Sequence, residues 1–453
     1  MSAPSDPTER AIALARQSQQ RRTGRAEPLA AGGDGAWPGA ASFDQLPEYR
    51  VIERMRQASQ VVGFANPYFR VHDGHASAHT VIEGRDRLNF ASYDYVGLNA
   101  DPRTAEAAIA AIERYGVSPS GSRLVSGERP VHQALEEALA RHYGTAAAIC
   151  FVSGHSTNVS TIGCLMAEGD LILYDNLAHN SIQVGARLSG AARRSFAHND
   201  MAALEALLVE NRARFRHAMI VVEGHYSMDG DTAPLPALIA LKRKYGCWLM
   251  VDEAHALGCV GATGKGLFEH HAIDPAEVDI WMGTLSKTLA STGGYIAGSQ
   301  ALIELLMANA SGYVYSVALA PALAASALAA LGLLAEEPWR VRKLQQNTAL
   351  FIAEARAAGL DTGAAEPFSI VPIMVGDSML AAKLSERLLD CGLNALPVIF
   401  PAVPMQAARL RFFLTAQHEP DQIRSAVAMT RDELQKLRDA KFSAALSEKL
   451  MNL

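Results

Sequence analysis

The sequence predicts an α/β protein: a large unit with a mostly parallel sheet covered on both faces, then a smaller α+β unit. Three observations carry this. Short apolar runs alternate with amphipathic helical patterns from about residue 103. These runs are apolar throughout, as strands buried on both faces are. A long helical stretch, 339–358, then separates them from a second, shorter set of strands and helices. A chain of 453 residues is also too long for one simple core, which points to two or three packed units.

Residues 1–42 are rich in Ala, Gly, Arg and Gln and are expected to be a mobile tail, or a linker to a neighbouring carrier domain. Residues 43–102 form an N-terminal arm that opens with Phe43-Asp44-Gln45-Leu46-Pro47 and a short helix through Met55. The large unit spans 103–335. Val131, Ala134, Leu135, Ala138, Leu139 and His142 line one face of a helix there. Strands are expected at 148–152, 171–174, 218–223, 248–252, 280–283 and 295–297, with helices between them such as 201–210 and 235–245. In the C-terminal unit, 336–453, strands are expected at 369–375, 395–400 and 410–415, and helices at 378–390 and 421–438.

Composition narrows the function. Hydrophobic residues make up 49% and charged residues 19%, and the net charge of -6 argues against a nucleic-acid partner. Five widely spaced cysteines with no CxxC pair favour buried thiols in a reducing compartment over a zinc site or a disulfide framework. Met1 to Glu27 has no apolar signal core, so a cytoplasmic location is expected. Residues 317–335 carry no charge and are long enough to cross a bilayer. Their alanine content, with Pro321, Ser326 and Gly332, instead predicts a buried helix.

In an open α/β sheet, ligands bind beyond the carboxyl ends of the strands. Several reactive side chains follow apolar runs: Asp252 and His255 after 248–251, Thr284, Ser286 and Lys287 after 280–283, and Glu223 and Ser227 after Val221-Val222. A lysine after a buried strand can form an imine with an aldehyde cofactor. Pyridoxal phosphate then also needs an anion facing its ring nitrogen, a place Asp252 can take. Its phosphate needs a helix N-terminus, which Ser153-Gly154-His155-Ser156 offers between a strand and a helix, with the hydroxyl of Thr284 in addition. By contrast, Gly261-Ala262-Thr263-Gly264-Lys265-Gly266 fails as a phosphate-binding P-loop. Its first glycine is misplaced, and no Ser or Thr follows the lysine.

These motifs, together with Gly121-Ser122-Arg123-Leu124-Val125-Ser126-Gly127, Ala178-His179-Asn180-Ser181, Phe196-Ala197-His198-Asn199-Asp200, Glu223-Gly224-His225-Tyr226-Ser227-Met228-Asp229-Gly230-Asp231 and Arg409-Leu410-Arg411, resemble the α-oxoamine synthases over residues 45 to 440. The resemblance implies a fold-type I pyridoxal-phosphate transferase with a seven-stranded, mostly parallel sheet and a smaller C-terminal domain. The implied enzyme is a homodimer with shared active sites that condenses a small amino acid with an acyl thioester and loses carbon dioxide. By the same resemblance Lys287 is the imine-forming lysine and base, Asp252 the partner of the ring nitrogen, and His255 with Ser227 the neighbours of the ring hydroxyl. His179 stacks on the ring, and Gly154, His155 and Thr284 meet the phosphate. Ser316 reaches it from the neighbouring subunit, and Arg411 clamps the substrate carboxylate. Arg409 lies two residues away on the same strand face, so residue spacing leaves the two arginines exchangeable.

The sequence departs from the family pattern in places. His155 stands where many relatives carry an aromatic residue, Pro119 stiffens the glycine-rich run, Tyr93-Asp94-Tyr95 lacks an asparagine, and Phe400 replaces an arginine before Pro401. Asn66-Pro67-Tyr68-Phe69 is most like serine palmitoyltransferase-like and polyketide-associated members, which implies a long or carrier-bound acyl donor, on coenzyme A or an acyl carrier protein. Ser122, in place of threonine, leaves room for a substrate side chain, so alanine and serine join glycine as candidates. The rival readings are an aminotransferase, an amino-acid decarboxylase and a silent subunit of a heteromeric synthase. The presence of Lys287 counts against the last.

Overall fold

The computed structural model describes residues 42–63, 65–400 and 402–443, so the expected tail falls outside them but for Ser42. The N-terminal helix, Pro47–Val62, runs a full turn or more beyond Met55. Three short strands follow, β1 (His72–Asp73), β2 (His79–Ile82) and β3 (Arg85–Asn89).

The central sheet has seven strands: β4 (Ala147–Phe151), β5 (Leu171–Asp175), β6 (Ala192–Phe196), β7 (Ala218–Glu223), β8 (Trp248–Asp252), β9 (Ile280–Thr284) and β10 (Gly294–Gly298). Their spatial order is β4-β10-β9-β8-β7-β5-β6, and β10 alone runs against its neighbours. β7 and β9 are buried at every position, which is why each is apolar up to the polar residue that closes it, Glu223 and Thr284. β6 was not expected from the sequence. Arg193, Arg194 and Ser195 are exposed there, because β6 is an edge strand paired only to β5.

Local signals set the helices beside the sheet. Asp101 caps helix Pro102–Tyr115, which opens on proline, and Asp200 caps Met201–Asn211. The uncharged stretch forms helix Pro321–Glu336. It packs on helices Pro102–Tyr115 and Pro130–Tyr143, with Ala324, Ala327 and Ala330 fully buried. Among the described residues no helix is long and apolar enough to cross a membrane.

Helix Trp339–Ala357 leads to the C-terminal unit, where β11 (Ile370–Gly376), β12 (Leu393–Asn394), β13 (Leu396–Val398) and β14 (Ala408–Phe413) lie. The strand expected at 395–400 is shorter, β13 alone, and a separate strand, β12, precedes it. β12 pairs parallel with β3, while β13 joins β11 and β14 in a separate sheet, so the chain changes sheets at Ala395. Pro397 is tolerated because β13 is an edge. The cysteines also differ from expectation in part. All five are unpaired, but only Cys150, Cys247 and Cys259 are buried, whereas Cys164 is half-buried and Cys391 exposed.

Candidate active site

The carboxyl ends of β4, β5, β7, β8 and β9 open on a cavity of about 370 Å³. Of the residues singled out from the sequence, Gly154, His155, His179, Ser227, Asp252, His255, Thr284, Lys287 and Arg411 all line it. Ser122 and Ser316 do not line it.

Lys287 sits in the turn after β9, with its Nζ 5.5 Å from the centre of the Tyr93 ring. Burial pulls its pKa down to about 8, more than Asp252 and Glu223 pull it up, and the Arg411 charge helps to lower it. Asp252, the last residue of β8, is buried and accepts two hydrogen bonds. The Ala254 N–H reaches Oδ1 at 3.0 Å, and the Asn158 side chain reaches Oδ2 at 2.8 Å.

The helix Gly154–Leu165 starts at the cavity, capped by Ser153, whose side chain accepts from the Ser156 N–H. Its first amides and positive dipole end suit an anion. A side chain at 154 would collide with Thr284, since an added Cβ would lie 2.9 Å from Thr284 Oγ1. Only glycine lets the backbone come this close. Thr284 Oγ1 in turn bonds the Gly293 carbonyl at 2.9 Å and Ser286 Oγ at 2.8 Å.

His179 is both a helix cap and a cavity residue. Its Nδ1 accepts from the Ser181 N–H at 3.3 Å, which leaves the ring proton of the neutral form on Nε2. Burial lowers its pKa. His255 is held by Tyr95, whose hydroxyl lies 2.6 Å from Nδ1, and its ring is nearly parallel to that of Phe413 at 6.4 Å. Burial, with the Lys287 and Arg411 charges, keeps its pKa well below the usual histidine value.

The structure separates the two arginines. Arg409 Nη1 is taken up by Asp229 at 2.7 Å and by the Met228 carbonyl at 3.0 Å, and its side chain is buried. Arg411 Nη1 donates to the Ser227 carbonyl at 2.9 Å, and the guanidinium lies in the cavity wall, 4.5 Å from the Phe413 ring centre, with no carboxylate paired to it among the described residues.

One residue in the wall, Asn158, was not singled out from the sequence. Asn158 orients Asp252 and bonds Ser181 Oγ at 2.9 Å, while its own Oδ1 is buried without a partner. The signal was its place one helical turn after Gly154, on the same face. Glu223, Ser286 and Tyr93, which the sequence brought into view without a role, also line the cavity, and Tyr95 supports it from behind. His198 and His225 stand outside it. His198 bridges Asp175 at 3.0 Å and Asp231 at 2.8 Å. The glycine-rich loop at 261–266 folds around a carboxylate, with the Thr263 and Lys265 amides donating to Glu269. No phosphate could take the same place.

Pyridoxal phosphate makes three demands that this cavity meets. An amine and a buried carboxylate line the same space, a close-packed helix N-terminus with hydroxyls lies beside them, and the buried Asn158 Oδ1 has no partner among the described residues.

The chain matches the model of the class I and II aminotransferase family over residues 85–429. The 8-amino-7-oxononanoate synthase of Geobacter sulfurreducens is 43% identical over 357 residues, 78% of this chain and 90% of that protein. That of Symbiobacterium thermophilum is 39% identical over 349 residues, 77% and 88% of the two chains. Among solved structures, the serine palmitoyltransferase of Sphingomonas wittichii superposes with a TM-score of 0.83 at 30% identity, covering 87% of this chain and 99% of that one. The 8-amino-7-oxononanoate synthase of Francisella tularensis superposes with a TM-score of 0.67 at 26% identity, covering 77% and 98%. With its fold, its cavity and these relatives in view, the chain belongs to the class I and II aminotransferase family and, within it, to the α-oxoamine synthases, as a fold-type I acyltransferase that depends on pyridoxal phosphate.

Proposed function

We propose that this enzyme condenses alanine with a seven-carbon acyl thioester carrying a distal carboxylate, and releases carbon dioxide, the thiol and 8-amino-7-oxononanoate. The observation that carries this reading is the 43% identity to a synthase of that product. Counting atoms in the product's name assigns the reactants: the amine-bearing carbon and its methyl come from alanine, and carbons one to seven come from the acyl group. The thiol is coenzyme A or an acyl carrier protein.

Bound pyridoxal phosphate supplies a protonated ring that delocalises negative charge from the amino acid's Cα. Asp252 would be the carboxylate that faces the ring nitrogen. Arg411 clamps the alanine carboxylate through its planar fork. Lys287 Nζ, neutral above pH about 8, removes the Cα proton. The new carbon–carbon bond forms between Cα and the thioester carbonyl, and the thiolate leaves. Carbon dioxide then departs from the clamped carboxylate, and a proton returns to Cα. His255 and Ser227 would hold the ring hydroxyl, His179 would pack against the ring, and Gly154, His155 and Thr284 would hold the phosphate. Holding both reactants in register supplies much of the rate.

The active form is a homodimer with shared sites, in which Ser122 and Ser316 serve the partner's cavity. Their neighbours support this. Leu124, Val125, Tyr315 and Val317 are exposed at 67%, 81%, 86% and 53%, and the Ala318 N–H bonds the Gly121 carbonyl to hold the two segments together. The division into an arm at 43–102, a cofactor domain at 103–335 and a small domain from 336 belongs to the same reading. So does a cytoplasmic location, which the unpaired cysteines favour.

The test is carbon dioxide and thiol release from purified holoenzyme. Alanine with the heptanedioyl thioester should turn over faster than serine with a palmitoyl thioester. Equal or reversed preference sinks the substrate assignment. Carbon dioxide release without any thioester sinks the reaction class.

A further inference from the structure

Two carboxylates stand side by side below the cofactor cavity. Glu223 ends β7 and Asp252 ends β8, and the parallel register pairs them directly. Both line the cavity, and both are nearly closed to water, at 3% and 4% exposure. Neighbouring buried carboxylates do not both ionise readily, since each suffers from burial and from the other's charge.

Hydrogen bonding decides which of the two keeps a proton. Asp252 receives an N–H on each oxygen, from Ala254 and from Asn158. Glu223 receives the Ser227 N–H at a long 3.4 Å on Oε2 and faces the His179 amide, and its Oε1 is buried with no partner among the described residues. A carboxylate is acceptor-only and needs donors around it, whereas a carboxylic acid brings a donor of its own. We infer that Glu223 is a positioning residue that carries the single proton of this pair, so that Asp252 remains the anion beside the cofactor and Lys287 feels one negative charge rather than two.

The surroundings agree. Burial pushes Glu223 up to about 8, and the Asp252 charge adds to that. The groups facing Glu223 from neighbouring elements are Asp252, Lys287 and the backbone amide of His179. On its own loop stand Ser227 and Tyr226. Lys287 is the one cation among them, and burial has already brought its pKa down to about 8. A second anion at 223 would push that pKa back up and leave the amine protonated where it must act as a base.

The inference deepens the reading above by assigning a proton in the same site. Its test is spectroscopic and does not need acyl transfer, so a protein that condensed nothing would leave the result intact. Infrared spectra of the holoenzyme should show a carboxylic-acid C=O band that weakens in Glu223→Gln. A band should also persist in Glu253→Gln, which removes the other glutamate that burial raises to about 8. The titration midpoint of the cofactor–lysine absorbance should be the same in Glu223→Gln as in the native protein, because glutamine replaces a group that was already neutral. A midpoint lowered by about one pH unit or more would mean that a charge had been removed, and would overturn the inference. So would an unchanged infrared band in Glu223→Gln. Should that variant not fold, Glu253→Gln still decides: loss of all carboxylic-acid absorption there rules out a protonated Glu223.

Discussion

Replacing Gly154 by alanine tests the phosphate cradle with a single methyl group. The added Cβ would sit 2.9 Å from Thr284 Oγ1 and 3.3 Å from Thr284 Cβ. Thr284 cannot simply turn aside, because its hydroxyl is fixed between the Gly293 carbonyl and Ser286 Oγ. Either the helix start shifts or Thr284 loses those bonds. Overpacking of this kind costs about 1–3 kcal/mol. Since the displaced atoms form the anion site, most of that cost should fall on cofactor binding, a loss of roughly 5- to 150-fold in affinity. Equilibrium dialysis of pyridoxal phosphate measures this directly. Gly163→Ala is the control, as it lies in the same helix with nothing within 4 Å of its added Cβ. It should bind normally and be more stable by up to about 1 kcal/mol. If Gly154→Ala binds the cofactor within about twofold of native affinity, the close packing of helix and Thr284 does not shape the site.

Arg411→Lys should raise KM for the amino acid by about ten- to a hundredfold, because a point charge replaces a two-pronged donor. Arg409→Met should instead lower stability by about 2–3 kcal/mol through the stranded Asp229, with KM near native. Steady-state kinetics and urea unfolding separate the two, and exchanged phenotypes would reverse the assignment. The rate at which the cofactor-free protein takes up pyridoxal phosphate should rise with pH around a midpoint near 8. Burial lowers the Lys287 pKa, so the neutral amine predominates above that value; a midpoint near the ordinary lysine value of about 10.4 would contradict it. His198→Gln should destabilise the fold in a pH-dependent way. Burial pulls the His198 pKa down, but Asp175 and Asp231 more than offset this and raise it to about 10. A raised pKa gives stability that is fully present below the unfolded value of about 6.5 and lost as pH climbs through about 10. Discounted for partial exposure, the deficit of the variant should be roughly 2 kcal/mol at low pH and small at high pH. A pH-independent deficit in urea midpoint would refute the charged bridge.

The central strands were legible because burial on both faces leaves a direct mark: β7 and β8 begin and end where the sequence predicts. β6 left no such mark, since an edge strand can carry Arg193 and Arg194. Lys287 and Asp252 were legible because chemistry in this architecture gathers at strand ends. Asn158 was not, because its bond to Asp252 spans 94 residues and depends on how a helix lies across the sheet. The arginine pair was half legible. Spacing put Arg409 and Arg411 on one face, but only the folded loop shows that Asp229 engages the first.

The pairing of β3 with β12 has a consequence for the order in which this protein is made. Asn89 and Asn394, 305 positions apart, bond side chain to side chain across that parallel seam. A ribosome builds from the N-terminus, so β3 emerges long before its neighbour exists. Until residue 393 of 453 has been added, its outer edge is open, guarded by the charges of Arg85 and Asp86. Closing so distant a contact is slow, and a nascent chain of this enzyme should need protection until that seam can form.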